Sequence, residues 1–226
     1  MKHNIAIYDM DKTVTRKATY AHFICHMVTH LAPWRFILSP LLIFAIILYG
    51  LKIWQRKELK QFIFAIMIGN KIAPEKIAPL LESYGEKVIA NNIYWQIAER
   101  MREEKEQGYV HVLATASFEL YVHPIARRLG FDAVIGTKLQ RDSHGNILAK
   151  LAGENCYAME KIPRIEQWMK SRNFDKNQSF IRGYSDHVSD APLLDFADEA
   201  FATNPHGPLH QLAVEKGWAI LDWRAS

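Results

Sequence analysis

Cysteine is scarce in this chain: there are two, Cys25 and Cys156, in 226 residues. Neither has a neighbour at metal-ligating spacing, and one pair makes no disulfide framework. That excludes a cysteine-built metal site and a stapled secreted scaffold, and a reducing cytoplasm is the expected setting. Charge of one sign is also scarce. The excess of +4 is spread along the chain, so no nucleic-acid partner is expected. A mild positive balance suits an anionic substrate or a membrane surface. No internal repeat, low-complexity tract or signal-peptide-like apolar stretch stands out, and the opening MKHNIAIYDMDKT runs directly into a strand pattern. The length allows one good core, or one domain carrying a large insertion.

A membrane-spanning run is nearly, but not fully, present. Residues 36–51, FILSPLLIFAIILYGL, carry no charge, with Arg35 before them and Lys52, Arg56 and Lys57 after. A spanning helix needs roughly 20 apolar residues. This run is shorter and contains Pro40 and Gly50, so it is expected to be a buried helix of a helical insertion. The alternative is a helix that meets a membrane surface through its basic flank, which would make the protein peripheral at the inner membrane.

The remaining pattern alternates. Asn4 to Tyr8 is a short apolar run ending in acidic residues, as a buried parallel strand does. From about Ala18 to Arg100 the periodicity is helical, punctuated by Pro33, Pro40, Gly69, Pro74 and Gly85. Strand patterns follow at Tyr109 to Ala114, Ser179 to Arg182, Ala200 to Thr203 and Trp218 to Leu221. Helical ones lie between, at Phe118 to Leu129, Met159 to Lys170, Ala191 to Phe196 and Pro208 to Lys216. Ala133 to Leu139 and Ile147 to Leu151 flank the turn residues DSHGN and predict a hairpin. Strands alternating with helices imply an α/β fold with a parallel sheet covered on both faces. The site of such a sheet lies beyond the carboxyl ends of its strands.

The polar residues after each strand make chemical sense together. Asp9 and Asp11 follow the first strand, and spacing i, i+2 on an extended segment points both carboxylates one way. Side by side they repel, and a divalent cation such as Mg2+ relieves this. Thr115 and Ala116 follow the second strand, where a hydroxyl and loop amides can hold a phosphate. Lys161 heads a later helix and suits phosphate oxygens. Asp186 and Asp190 follow the next strand. A nucleophile, a metal clamp, donors for the equatorial oxygens and an acid for the leaving group are what phosphoryl transfer requires.

With these residues in order, the sequence resembles the haloacid dehalogenase superfamily of hydrolases, in its phosphoserine-phosphatase-like branch. DMDKT, Thr115 in LATAS, Lys161, and the acid pair in DHVSD match that family's four motifs. The phrases FELYVHPIARRLGFDAVIGTKL and NPHGPLHQLAVEKGWAILDW are similar to the same branch. The resemblance implies a Rossmann-like core over 1–15 and 90–226 and a helical cap of the C1 type over 16–89. It further implies an Mg2+-dependent phosphatase in which Asp9 is phosphorylated and Asp11 is the acid and base. Asp9, Asp186 and the carbonyl of Asp11 would hold the metal. Thr115, Ala116 and Lys161 would bind phosphate, supported by Asp190 and Thr13. Ser185 departs from the usual Gly before the first acid of the fourth motif.

Other residues have blander readings. Ser117 is expected to be the N-cap of the following helix. His22, His26 and His30, at i, i+4, i+8, are expected to form a partly solvated face, with substrate contact over the site mouth as the sharper reading. Phe62 and Phe64 are candidate cap contacts. By resemblance, phosphoserine itself is disfavoured, because a gapless count places Ala18 where that branch carries a Glu. The stretch Phe62 to Ile68 also lacks a basic residue. The partner expected is a phosphorylated small molecule or a lipid-like phosphomonoester, and RFILSPLLIFAIILYG with RGYSD resembles phosphatidylglycerophosphate phosphatases of the class. A non-catalytic regulator on the same fold is the rival reading, against which the intact acids stand.

Overall fold

A computed structural model describes residues 3–224. The two residues at either end of the predicted core, 1–2 and 225–226, lie outside the described residues. The chain opens with β1 (His3–Tyr8) and then enters a helical block: α1 (Tyr20–Leu31), α2 (Ser39–Gly50), α3 (Arg56–Met67), the short strand β2 (Lys71–Ile72) and α4 (Pro74–Asn91). After α5 (Gln96–Glu106) strands and helices alternate: β3 (Tyr109–Phe118), α6 (Glu119–Leu129), β4 (Ala133–Thr137), β5 (Leu139–Arg141) and β6 (Ile147–Leu151). The last third holds α7 (Lys161–Ser171), β7 (Ser179–Ser185), α8 (Ala191–Phe196), β8 (Glu199–Thr203), α9 (Gly207–Lys216) and β9 (Ala219–Leu221).

Six strands form one parallel sheet in the order β4-β3-β1-β7-β8-β9. This is the α/β, Rossmann-like architecture the alternation predicts. β1 is buried on both faces. Ile5 and Ile7 pack on one side with Ile165, Met169 and Leu193. Ala6 and Tyr8 face the other, with Met101, Tyr121 and Ile125. A strand covered twice has no polar face to show, and its apolar run is therefore unbroken. Because β1 lies between β3 and β7, the crevice beyond its carboxyl end is the natural place for a site.

The helical block sits on that end. Helix α4 packs against α6 so closely that a Cβ on Gly85 would lie 3.0 Å from Cβ of Pro124. β2 pairs antiparallel with β6, which pairs with β5, so a second small sheet ties the block to the rest of the chain. Lys71 adds an ion pair to Asp142 at 2.6 Å.

Two expectations need correction here. The DSHGN turn joins β5 and β6, whereas 133–137 belongs to the main sheet as β4. The predicted hairpin is therefore shorter, because the first run is apolar enough to be buried between β3 and the helices. The larger correction concerns 36–51. It is not a buried helix: of α2, only Ala45 is buried, and Ile43, Phe44 and Ile46 are 62%, 58% and 55% exposed. A run that is apolar on all sides can bury only one face against a single neighbouring helix.

Candidate active site

Asp9 is placed by the end of β1, where its backbone N–H continues the ladder to the Tyr184 carbonyl at 2.9 Å. The chain then turns sharply through Lys12, whose φ of 65° is left-handed, and the turn is closed by Val14 and Thr15 N–H groups on the Met10 carbonyl. Lys161, at the start of α7, is buried and donates to Asp9 Oδ1 at 2.7 Å and to Asp190 Oδ2 at 2.8 Å. Ser185 Oγ donates to the same Asp190 oxygen at 2.8 Å. Asp9, Asp11, Thr115, Ala116, Lys161, Asp186 and Asp190 all line one cavity of about 300 Å³. Residues predicted after three separate strands and at the head of a later helix thus meet at one place.

The electrostatics of this cavity follow from burial. Desolvation pushes the Asp9 carboxyl up, to about 8, against the pull of Lys161 and with the push of Asp190 and Asp186. Asp186 is raised to about 6, again chiefly by desolvation, with Lys12 opposing and Asp190 adding. Burial alone would lower Lys161, but Asp190 and Asp9 hold its ammonium above the ordinary lysine value. Asp190 Oδ1 is buried without a hydrogen-bond partner. Three carboxylates against one ammonium leave an excess of negative charge, and a small divalent cation at Asp9 and Asp186 fits that donor set. Among the described residues, no three His, Cys, Asp or Glu side chains converge as metal ligands, so further ligands would be backbone carbonyl or water.

Asp11 lines the same cavity as Asp9, but it does so from the first residue of a turn and not from an extended segment. Its Oδ1 accepts from the Thr19 N–H at 2.7 Å and the Thr19 hydroxyl at 2.8 Å, and its Oδ2 accepts from Ser117 Oγ at 2.9 Å. Ser117 is therefore a partner of this acid and not an N-cap; the following helix starts two residues later, with Phe118 at its N-cap position. Thr115 Oγ1 accepts from the Ser117 N–H at 3.1 Å, within the stretch of β3 where its register against β4 shifts.

Lys60, from α3, is buried and reaches this stretch. It donates to the Ala116 carbonyl at 2.6 Å and to Asn155 Oδ1 at 2.8 Å. Thr137 Oγ1 lies 2.7 Å and 2.9 Å from the same two oxygens. Desolvation, with Arg56 nearby, brings the Lys60 ammonium down to about 7.

Other predicted residues lie elsewhere. His22, His26 and His30 line a separate cavity of about 480 Å³ with Cys25, Tyr84 and Lys87, so they do not stand over the site mouth. His26 Nε2 is paired with Ser83 Oγ at 3.0 Å. Phe64 is fully buried against Phe118, and Phe62 packs on Trp54; neither lines the catalytic cavity. Phe64 lies one helical turn from Lys60 and both meet the Phe118 ring, whereas Phe62 turns away toward Trp54. Thr13 is buried, with its hydroxyl unpartnered. Sequence reasoning missed Thr19, Lys60, Arg56, Tyr157 and His187. The last three line the cavity, and the Arg56 guanidinium lies 4.0 Å above the Tyr157 ring.

Comparison with known proteins agrees with this geometry. The family model for haloacid dehalogenase-like hydrolases matches residues 6–195. A histidinol-phosphatase from Neisseria meningitidis serogroup C is 31% identical over 130 residues, covering 56% of this chain and 58% of that protein. Phosphoserine phosphatase SerB1 of Mycobacterium tuberculosis is 29% identical over 160 residues, 71% of this chain and 50% of its own length. The chain thus spans about half the length of these curated relatives. A crystal structure of a Bordetella pertussis Tohama I protein of unknown function shares the fold with a TM-score of 0.84 at 21% identity, over 99% of this chain and 100% of that one.

Proposed function

Because the chain belongs to the haloacid dehalogenase-like hydrolases, we propose that it is a phosphatase that hydrolyses phosphomonoesters through a phosphorylated Asp9, with Mg2+ bound at Asp9 and Asp186. The observation that carries this reading is the convergence of Asp9, Lys161, Asp186 and Asp190 on one cavity with Thr115 and Ala116 at its side. Mg2+ there would offset the carboxylate charge and stabilise charge on the phosphoryl oxygens. Asp9 Oδ attacks phosphorus. Lys161 stays charged beside it and receives a phosphoryl oxygen, and the Thr115 hydroxyl and the 115–117 loop amides take up others. Asp11, oriented by Thr19 and Ser117, gives its proton to the leaving oxygen. It then takes one from the water that cleaves the aspartyl phosphate.

The helical block, expected as a cap over 16–89, covers this end of the sheet and supplies the Arg56 edge of the cavity. Such a cover excludes water and sets the substrate. Relatives named histidinol-phosphatase and phosphoserine phosphatase support a small phosphomonoester as substrate. Ala18 lines the cavity, and that position offers no carboxylate to a substrate amine.

A panel of amino-acid, sugar, nucleotide and lipid phosphates with Mg2+ tests the proposal, with Asp9→Asn as the blank. Wild type is expected to turn over part of the panel and to form a hydroxylamine-labile phosphoprotein. Equal turnover by Asp9→Asn would remove Asp9 as nucleophile.

A further inference from the structure

Most of the large apolar side chains exposed among the described residues fall between residues 34 and 53. Ile37 is 79% exposed, and Leu51 and Ile53 are each 65% exposed. On α2 the exposure is not a stripe: apolar residues occupy every side of it, unlike a helix whose one apolar face seats in a groove. A contiguous apolar patch of this kind marks an interaction site.

Charge indicates what the patch meets. No acidic residue occurs between Asp11 and Glu58, and although Lys57 pairs with Glu154 across the fold, the cations at the apolar run have no acid beside them along the chain. Lys52 is exposed at the end of the apolar run, with Arg56 and Lys57 just after it. Trp34 and Trp54 stand at its two ends, and tryptophan favours the boundary between hydrocarbon and water. An apolar centre with cationic margins and no anions complements an anionic lipid surface.

The mode of contact follows from how the segment is anchored. Residues Pro33–Gly50 are long and apolar enough to cross a bilayer, with mean hydropathy 1.6 over 18 residues. Both ends, however, return to the same body. Arg35 donates to the Ile66 carbonyl at 3.1 Å, and Leu42 packs on the main core. Beyond the patch, Gln55 and Glu58 form a capping box at the start of α3, and Lys57 pairs with Glu154 at 2.6 Å. A crossing helix would have to put these two anchors on opposite sides of the membrane.

We propose that residues 33–54 dock the protein on an anionic bilayer surface without crossing it. The apolar side chains enter the acyl boundary, and Lys52 and its neighbours meet the headgroups. Arg56 both follows this segment and lines the catalytic cavity, so docking brings the cavity edge next to the headgroup layer.

The test is sedimentation of the full chain with phosphatidylglycerol-containing vesicles and with pure phosphatidylcholine vesicles. Binding is expected to the anionic vesicles and to fall with salt. The double variant Ile43→Glu, Phe44→Glu is expected to lose about tenfold or more in partitioning, since each charge opposes insertion. Its hydrolysis of soluble p-nitrophenyl phosphate should equal that of wild type, which shows that it folds. Quenching of wild-type tryptophan fluorescence by brominated lipid, reduced in Trp34→Phe, checks insertion independently of that variant. Failure of the wild type to bind anionic vesicles overturns the proposal. So does a lipid-free dimer, seen by light scattering, that the double variant dissociates while vesicle binding is absent, because a second copy then covers the patch.

Discussion

At the floor of the cavity, Asp9, Lys161 and Asp190 are almost sealed from solvent, and Lys161 lies within hydrogen-bonding distance of both acids. On α2, only a few residues along the chain from Arg56 at the cavity edge, isoleucine and phenylalanine stand in solvent. The two regions invert the usual distribution in opposite senses: charge inside, hydrocarbon outside. Buried charge is tolerated in the first because each ion holds a counter-ion at close range. Exposed hydrocarbon in the second has no such compensation within the chain. The lesson is that charge at the sheet end is compensated within the fold, while the hydrocarbon of the helical block is not.

The contrast can be broken or sharpened by measurement. The largest effect is expected from Asp11→Asn. It should cut kcat by about 10²–10⁴, the usual range for losing a general acid and base, and leave the Asp9–Lys161 pair and thermal stability nearly unchanged. A loss of stability as large as the loss of rate would make Asp11 a structural turn residue. Phe64→Ala should cost about 3–5 kcal/mol in urea unfolding, since the ring is fully buried. A cost near zero would mean that the whole helical block is loosely packed, and not its outer hairpin alone.

A third measurement concerns pH. Asp186 and Asp9 are raised, to about 6 and about 8, so between the ordinary carboxylate range and those values the folded state holds more protons than the unfolded one. Their contribution to stability is therefore present at low pH and lost as pH rises through that window. Mg2+ needs the ionised carboxylates, so the rise in Tm that it gives should grow across the same window. An Mg2+ effect independent of pH would dissociate the ion from these acids. The smallest effect is expected from Phe44→Ser, which should change unfolding free energy by no more than about 0.5 kcal/mol in lipid-free buffer. A clearly larger change would show that this ring is covered in solution.

Much of the floor was legible because its residues follow strands whose apolar runs end abruptly. Asp9, Thr115 and Asp186 could be read as strand-end residues, and Lys161 and Asp190 followed from the family's motif order. The partners of Asp11 were not legible, since Thr19 reaches it only beyond the left-handed turn at Lys12 and Ser117 comes from β3. Ser117 had the chemistry of an N-cap, and only the register shift between Ala114 and Phe118 in β3 turns it to the acid instead. Lys60 looked like one of several cations on an amphipathic helix; its burial depends on α3 packing beside a loop more than fifty residues away. For 36–51, hydrophobicity implied burial, but a uniformly apolar run carries no stripe to say which side is covered.

The Lys60 ammonium ties α3 to the 115–117 loop through an oxygen of Ala116. Lifting α3 from the sheet end would strip that carbonyl and Asn155 Oδ1 of their shared cation, leaving the single Thr137 hydroxyl proton to one of them. An amine brought down to about 7 can also surrender its proton near neutrality. This contact is one of several that fasten α3, beside Gln61 to Leu151 and Lys57 to Glu154, and it is the one that weakens as the medium turns alkaline.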